Sequence, residues 1–158
     1  MINKVEEKLN VDNPVGFYVS KTSQYLKFGA INAIKQLNID DPLTLDQYEV
    51  LWVLLRNDGL YQRQLGQILL KDRPNTTRLI NILCEKGLIE RRVDSDNKRK
   101  HVVYITQAGK DKVNDLKPLK EKLGDKVLNG ISEEELKIML STLEKIRTNL
   151  EGEFTMQI

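Results

Sequence analysis

The feature that most restricts the fold of this chain is a change of residue periodicity at Gly87. Before it, "DRPNTTRLINILCEKG" (72–87) carries apolar residues at helical spacing; after it, "LIERRVD" alternates loosely, as a strand does. Asp72 suits the N-cap of the helix and Pro74 its first turn. "SDNKRK" then predicts a polar turn, and "HVVYIT" a returning strand. The sequence therefore predicts a short helix that leads directly into a β-hairpin with a basic tip.

Two more helical patterns precede Asp72, and a longer helical pattern precedes both of them. "LTLDQYEVLWVLLRN" predicts one helix, ended by Asn57-Asp58-Gly59, and "YQRQLGQILL" predicts a short one. The preceding helix is expected over 14–37. Its apolar stripe consists of Val15, Val19, Thr22, Leu26, Ala30, Ala33 and Leu37.

Two long helices are expected after the hairpin. Thr106 is a candidate cap for the first, and Pro118 predicts a kink or break within it. Ser132 and Glu135 have the spacing of a capping box for the last helix. The last helix has a heptad-like apolar stripe, formed by Leu136, Met139, Leu143, Ile146 and Leu150.

The order of elements predicts a mainly α fold with a small β-hairpin wing. We expect a winged helix-turn-helix over 43–106, an N-terminal dimerisation helix within 1–42 and C-terminal dimerisation helices within 107–158. The outer helices carry more apolar surface than one small core can cover, which favours a homodimer over helices that pack only within their own chain.

Composition restricts the location of the protein and the chemistry open to it. A single cysteine, Cys84, rules out an internal disulfide, and the N-terminus "MINKVEEKLN" has no apolar signal region. The longest stretch without Asp, Glu, Lys or Arg is nine residues, against about 20 apolar residues for a membrane span. We therefore expect a cytoplasmic protein with no membrane contact.

The sequence offers poor material for catalysis. His101 is the one histidine and is expected on the surface, beside a basic turn. The chain lacks a Gly-x-Gly-x-x-Gly motif and a Cys/His cluster with zinc-ligand spacing. We expect no catalytic residues, no metal, no cofactor and no enzymatic activity.

Charge is concentrated in one segment. The full chain is +2, but residues 71–101 hold nine Lys/Arg against five Asp/Glu, so this segment is +4 and the remainder −2. A local basic excess suits a polyanion, although charge alone equally fits a solvated surface.

Placement of the polar residues favours double-stranded DNA as the partner. The second helix of a helix-turn-helix enters the major groove led by its N-terminal residues, and a wing can reach phosphates or the minor groove beside it. The predicted DNA-binding residues of the helix and the wing are Arg73, Pro74, Asn75, Thr76, Thr77, Arg78, Lys98, Arg99 and Lys100.

Residues 43–110 resemble the MarR family of bacterial transcriptional regulators. The most specific fragments are "LTLDQYEVL", "DRPNTTRLINIL", "EKGLIERR" and "KRKHVVYITQAG". The resemblance implies a winged-helix homodimer that binds pseudo-palindromic DNA, with dimerisation through its first and last helices. It also implies a regulator, expected to be a repressor, that a small ligand or oxidant often releases from DNA.

Three positions depart from the family pattern. The wing has Asn97 where the family usually has an aspartate, with Asp96 one residue earlier. Tyr61 stands where the third helix usually has a Ser or Thr cap, so Asp58 is an alternative cap. The first helix lacks the cysteine of the peroxide-sensing branch. Cys84, beside Glu85, is expected to have a structural or incidental role rather than to be a redox sensor.

Two other functions remain open from the sequence. One is a winged-helix module for protein–protein contact, which the polar residues Asn75, Arg78 and Asn81 disfavour. The other is a small-molecule binding protein with a cleft between the dimer helices and the winged domain. Its candidate ligand residues are Tyr18, Tyr25, Phe28 and Trp52, although aromatic residues on apolar stripes are more often core.

Overall fold

The computed structural model describes residues 14–36, 41–95, 97–98 and 100–151, with the side chains of 118–120 and 122 left out. The chain divides into two compact units, residues 1–45 and 46–158. In the first unit, helix α1 runs from Pro14 to Gln36, and Ile34 is its buried residue. Leu37, the last member of the predicted stripe, lies outside the described residues.

The second unit contains the remaining helices and a small sheet. Their bounds are α2 Leu45–Arg56, β1 Leu60–Tyr61, α3 Gln62–Leu69, α4 Arg73–Glu85, β2 Ile89–Val93, β3 His101–Ile105, α5 Gln107–Asn114, α6 Lys117–Leu128 and α7 Glu133–Leu150. None of the helices in the described part of the chain could cross a membrane.

The core of this unit joins the helix-turn-helix to the sheet. Its fully enclosed side chains are Leu51, Leu54, Leu65, Ile80, Leu83 and Val103, each 0% exposed. They come from α2, α3, α4 and the central strand, so removing them from water stabilises the helices and the sheet as one unit.

The sheet is antiparallel, in the order β1-β3-β2. The β2–β3 hairpin pairs Ile89 with Ile105 and Val93 with His101, as the sequence predicted. The two-residue strand β1 corrects the prediction that the third helix begins at Tyr61, because Tyr61 pairs with Val102 on β3. Two residues are too few for a strand periodicity, so this strand exists only through its partner.

The N-terminus of α3 is capped by Gln64 and not by Asp58, the alternative cap that the sequence offered. The backbone N–H of Tyr61, its N-cap residue, donates to Oε1 of Gln64 at 2.9 Å. Asp58 does not serve as the cap in the described bonds: its carboxylate accepts from the backbone N–H of Gly59 and, at 2.9 Å, from that of Ile105. Asp58 thus ties the end of the α2–β1 loop to β3.

Local signals set the other helix ends as expected. Asp72 caps α4, and Gly87 follows that helix with φ +68°, a conformation that glycine adopts without steric cost. Thr106 caps α5, and the predicted break falls between Asn114 and Lys117, just before Pro118. Ser132 and Glu135 form the capping box of α7.

Candidate DNA-binding interface

Helix α4 has one buried side and one polar side. Leu79, Ile80 and Leu83 face the core, with 3%, 0% and 0% of their surface exposed. The other side is open and forms a shallow depression, lined by Arg73, Pro74, Thr77, Arg78, Asn81, Ile82 and Glu85. Among the predicted residues, Arg73, Pro74, Asn75 and Arg78 are exposed and Thr77 is half-buried.

Thr76 is a correction to the predicted site. Its side chain is only 2% exposed, and its hydroxyl donates to the backbone oxygen of Asp72 at 2.8 Å. A Cβ added to Gly66 would lie 2.9 Å from that hydroxyl oxygen. Thr76 therefore occupies the close contact between α3 and α4 and lies on the inner face, a position already implied by its helical spacing from Ile80 and Leu83.

The cap of α4 also holds Asn75 in place. One oxygen of the Asp72 carboxylate accepts the backbone N–H of Asn75 at 2.8 Å, and the other accepts the side-chain amide at 2.9 Å. The amide of Asn75 is thus oriented before any partner arrives, while the residue remains exposed.

Gln62, which the sequence did not single out, connects α3 to the polar side of α4. Its side-chain amide donates to the hydroxyl oxygen of Thr77 at 2.6 Å, and that hydroxyl donates to the backbone oxygen of Arg73 at 2.8 Å. The two helices of the helix-turn-helix are therefore linked at the edge of the exposed face. The 15-residue separation gives this pair no local sequence signal.

The wing places positive charge beside this face. Lys98 and Lys100 are exposed, while Arg99 lies outside the described residues. On β2, Arg91 donates to the side-chain oxygen of Asn81 on α4, and the Arg92 guanidinium lies 4.7 Å from the centre of the Tyr104 ring. Arg91 is a second residue that the sequence analysis left out of the site, and its bond links the wing strand to the helix.

The wing turn is organised by Asp94. Its carboxylate accepts the backbone N–H of Asn97 at 2.7 Å and the hydroxyl of Tyr61 at 2.6 Å. Although Asn97 stands where the family usually has an aspartate, the wing turn still has a carboxylate that holds it, that of Asp94.

The candidate ligand residues lie on two helices. Tyr18, Tyr25 and Phe28 share one side of α1 and are 44%, 68% and 62% exposed. Trp52 is half-buried on α2, with the Arg56 guanidinium 5.5 Å from its ring centre. A ligand cleft built from these aromatic residues stays a prediction.

The single histidine and the single cysteine lie on different elements of the fold. His101 is exposed at the start of β3, and Cys84 is half-buried near the end of α4. Within the described residues, no group of three or more His, Cys, Asp or Glu side chains could hold a metal ion.

A two-helix unit with a polar second helix, followed by a hairpin with exposed lysines, defines a winged helix-turn-helix protein. Known proteins agree with this class. Residues 41–100 match the model of the MarR family. YybA of Bacillus subtilis, an uncharacterized HTH-type transcriptional regulator, is 28% identical over 126 residues, which cover 79% of this chain and 84% of YybA.

Solved structures show the same fold. The transcriptional regulator SlyA matches with a TM-score of 0.75 at 25% identity, over 87% of this chain and 94% of SlyA. The repressor CouR, bound to a 23-mer DNA duplex, matches with a TM-score of 0.74 at 22% identity, over 84% and 92%. PcaV of Streptomyces coelicolor, in complex with its natural ligand, matches with a TM-score of 0.74 at 19% identity, over 88% and 95%.

Over residues 41–100 the chain is therefore similar to the MarR family, and over most of its length it is similar to DNA-binding transcriptional regulators. This family consists of regulators rather than enzymes, in agreement with the expectation from the sequence.

Proposed function

We propose that the chain is a cytoplasmic repressor that binds a pseudo-palindromic operator as a homodimer, with α4 in the major groove and the wing beside it. The observation that carries this proposal is the exposed N-terminal half of α4, where Arg73, Asn75 and Arg78 stand clear of the core. The proposed contact residues are Arg73, Pro74, Asn75, Thr77, Arg78, Lys98, Arg99 and Lys100.

Reading of bases is assigned to Asn75 and Arg78. An arginine side chain can bond two acceptors of guanine, and an asparagine can bond adenine, in the major groove. The Asp72 carboxylate already orients the Asn75 amide, which lowers the entropy lost on binding. Lys98, Arg99 and Lys100 are assigned to phosphates or the minor groove, where they raise affinity with little dependence on sequence.

Dimerisation is assigned to the terminal helices, so that 1–42 and 107–158 flank a DNA-binding domain at 43–106. No residue of α7 is buried, and its apolar Met139, Leu143 and Leu150 are 44%, 39% and 51% exposed. On α1, Val15 and Val19 are 52% and 45% exposed. Helices in proteins are stabilised mainly by packing of their apolar faces, and a second copy would supply that packing.

Release by a small molecule is the third part of the proposal. The aromatic side chains of Tyr18, Tyr25 and Phe28 offer flat apolar surface on α1, and PcaV, which shares the fold, was solved with its natural ligand. We assign the effector site to these residues of α1, with an aromatic or apolar small molecule as the ligand.

The DNA assignment is tested with DNA sequences selected by the purified protein. Arg78→Ala should weaken binding to the selected site by about 1–3 kcal/mol and to scrambled DNA much less. Arg99→Ala should weaken both by similar factors and reduce the salt slope by roughly one unit. Lys126→Ala, which removes an exposed charge from α6, should change neither affinity. Loss of discrimination in Arg99→Ala with intact binding to scrambled DNA would contradict this division of roles.

The dimer is tested by sedimentation, which should give twice the chain mass of 18.3 kDa. Leu143→Glu should produce monomers and weaken DNA binding, because two half-sites are bound together. Ser141→Glu places the same charge on the opposite side of α7 and should leave the dimer intact. A wild-type monomer at micromolar concentration would refute this assignment.

A further inference from the structure

Tyr61 occupies the junction between the helix-turn-helix and the wing. Its backbone forms part of β1 and caps α3, where its N–H donates to Gln64. Its side chain extends to the wing, where the hydroxyl donates to the carboxylate of Asp94 at 2.6 Å. A Ser or Thr cap at this position would be too short to reach across the sheet in this way.

Asp94 extends the connection into the wing turn. Its other carboxylate oxygen accepts the backbone N–H of Asn97 at 2.7 Å. Its own N–H donates to the backbone oxygen of Lys100 at 3.0 Å, and the N–H of Lys100 donates back to Asn97 at 2.8 Å. The Lys100 ammonium lies 5.1 Å from the centre of the Tyr61 ring, within the distance for a cation–π interaction.

The connection continues from Tyr61 to the exposed face of α4. Gln62, the next residue along the chain, donates its side-chain amide to Thr77 at 2.6 Å. An unbroken path of hydrogen bonds and covalent bonds therefore runs from the wing turn through Asp94, Tyr61 and Gln62 to Thr77.

We propose that Tyr61 is a positioning residue that holds the wing at a fixed distance and angle from α4, the helix assigned to the major groove. This inference rests on the proposed function. A wing held in place loses less conformational entropy when it contacts DNA, so its cations contribute more to affinity. Without the Tyr61 hydroxyl, the β1–β3 pairing and the Arg91–Asn81 bond still hold the strands of the wing, but the wing turn loses its own bond and moves more. The contribution of its cations then falls.

The first test needs no DNA. In the full-length protein, Tyr61→Phe keeps the ring beside Lys100 and removes only the hydroxyl. Hydrogen exchange of the wing amides, including that of Asn97, should then accelerate by about tenfold, because a bond to a charged acceptor is among the stronger ones. Exchange in α2 and α4 should not change. Tyr104→Phe removes a hydroxyl from the adjacent strand and should leave exchange in the wing unaltered.

The second test separates positioning from direct contact with DNA. Tyr61→Phe should weaken binding to the selected site roughly fivefold in the wild-type background. The loss should be much smaller in a Lys98→Ala/Arg99→Ala background, where Lys100 alone remains of the three wing cations. An equal loss in both backgrounds would show that Tyr61 acts independently of the wing and would overturn the proposal.

Two results of the exchange experiment would also overturn it. One is unchanged exchange in the wing of Tyr61→Phe. The other is uniform acceleration throughout the chain, which would indicate general destabilisation. Failure of the wild-type protein to bind any selected DNA would instead refute the proposed function, while the exchange result would still decide whether Tyr61 holds the wing.

Discussion

Replacement of Asp72 should separate the stability of α4 from the interaction of α4 with DNA. Asp72→Ala removes the bonds that the carboxylate accepts from the backbone N–H and side-chain amide of Asn75, at 2.8 and 2.9 Å. Loss of an N-cap costs about 1 kcal/mol, and loss of a negative charge at an exposed helix N-terminus costs roughly 0.5 kcal/mol. The total, about 1.5 kcal/mol, corresponds to a decrease in Tm of about 3–6 °C for a chain of this size.

Asp72→Ala should change both the affinity for DNA and the discrimination between the selected and scrambled sequences. Binding to scrambled DNA should become tighter, because a negative charge beside the phosphates is removed. Discrimination for the selected site should decrease, because the Asn75 amide loses the carboxylate that orients it.

Asp72→Asn is the matched control for the cap. It removes the same charge, but asparagine caps helices about as well as aspartate, so most of the stability should return. The assays are thermal unfolding at one protein concentration and DNA binding as a function of salt. If Asp72→Asn were as unstable as Asp72→Ala, the cap argument would fail. An unchanged Tm in Asp72→Ala would show that the carboxylate does not stabilise α4.

Two further pairs of substitutions test the backbone that supports the site, all by urea unfolding. Leu70, the C-cap of α3, has φ +51° and is 72% exposed. Leu70→Gly should stabilise the protein by about 0.5–1 kcal/mol, because it removes left-handed strain. Ile68→Gly, within the same helix, should destabilise the protein, and the reverse order would contradict the strain argument. A Cβ on Gly109 would collide with the backbone oxygen of Leu88, while one on Gly124 would meet nothing within 4 Å. Gly109→Ala should therefore lower the free energy of unfolding by about 1–3 kcal/mol, and Gly124→Ala should stabilise α6 by about 0.5–1 kcal/mol. Equal effects of the two substitutions would refute the contact between Gly109 and Leu88.

The sequence determined those features that depend on neighbouring residues. Asp72, Thr106 and Ser132 cap their helices because each bond spans only three residues along the chain. Gly87 ends α4 for a similarly local reason. The β-branched and aromatic residues of "HVVYI" were sufficient to predict β3.

Tertiary structure decided which contacts join separate elements. The helical spacing of Thr76 from Ile80 and Leu83 already implied the inner face of α4, although residue type had placed Thr76 among the DNA contacts; only the structure shows that it meets α3 at Gly66. Strand β1 has no periodicity of its own and depends on β3. The wing prediction for Arg99 falls outside the described residues.

The connection between the helix-turn-helix and the wing shows the limit of sequence reasoning most clearly. Tyr61 and Asp94 are 33 residues apart, and the sequence marked Tyr61 only as a poor cap. Their hydrogen bond requires the pairing of three strands to bring β1 beside the wing. Local caps are encoded by spacing along the chain, whereas this bond exists only because burial of the core fixes distant backbone segments side by side.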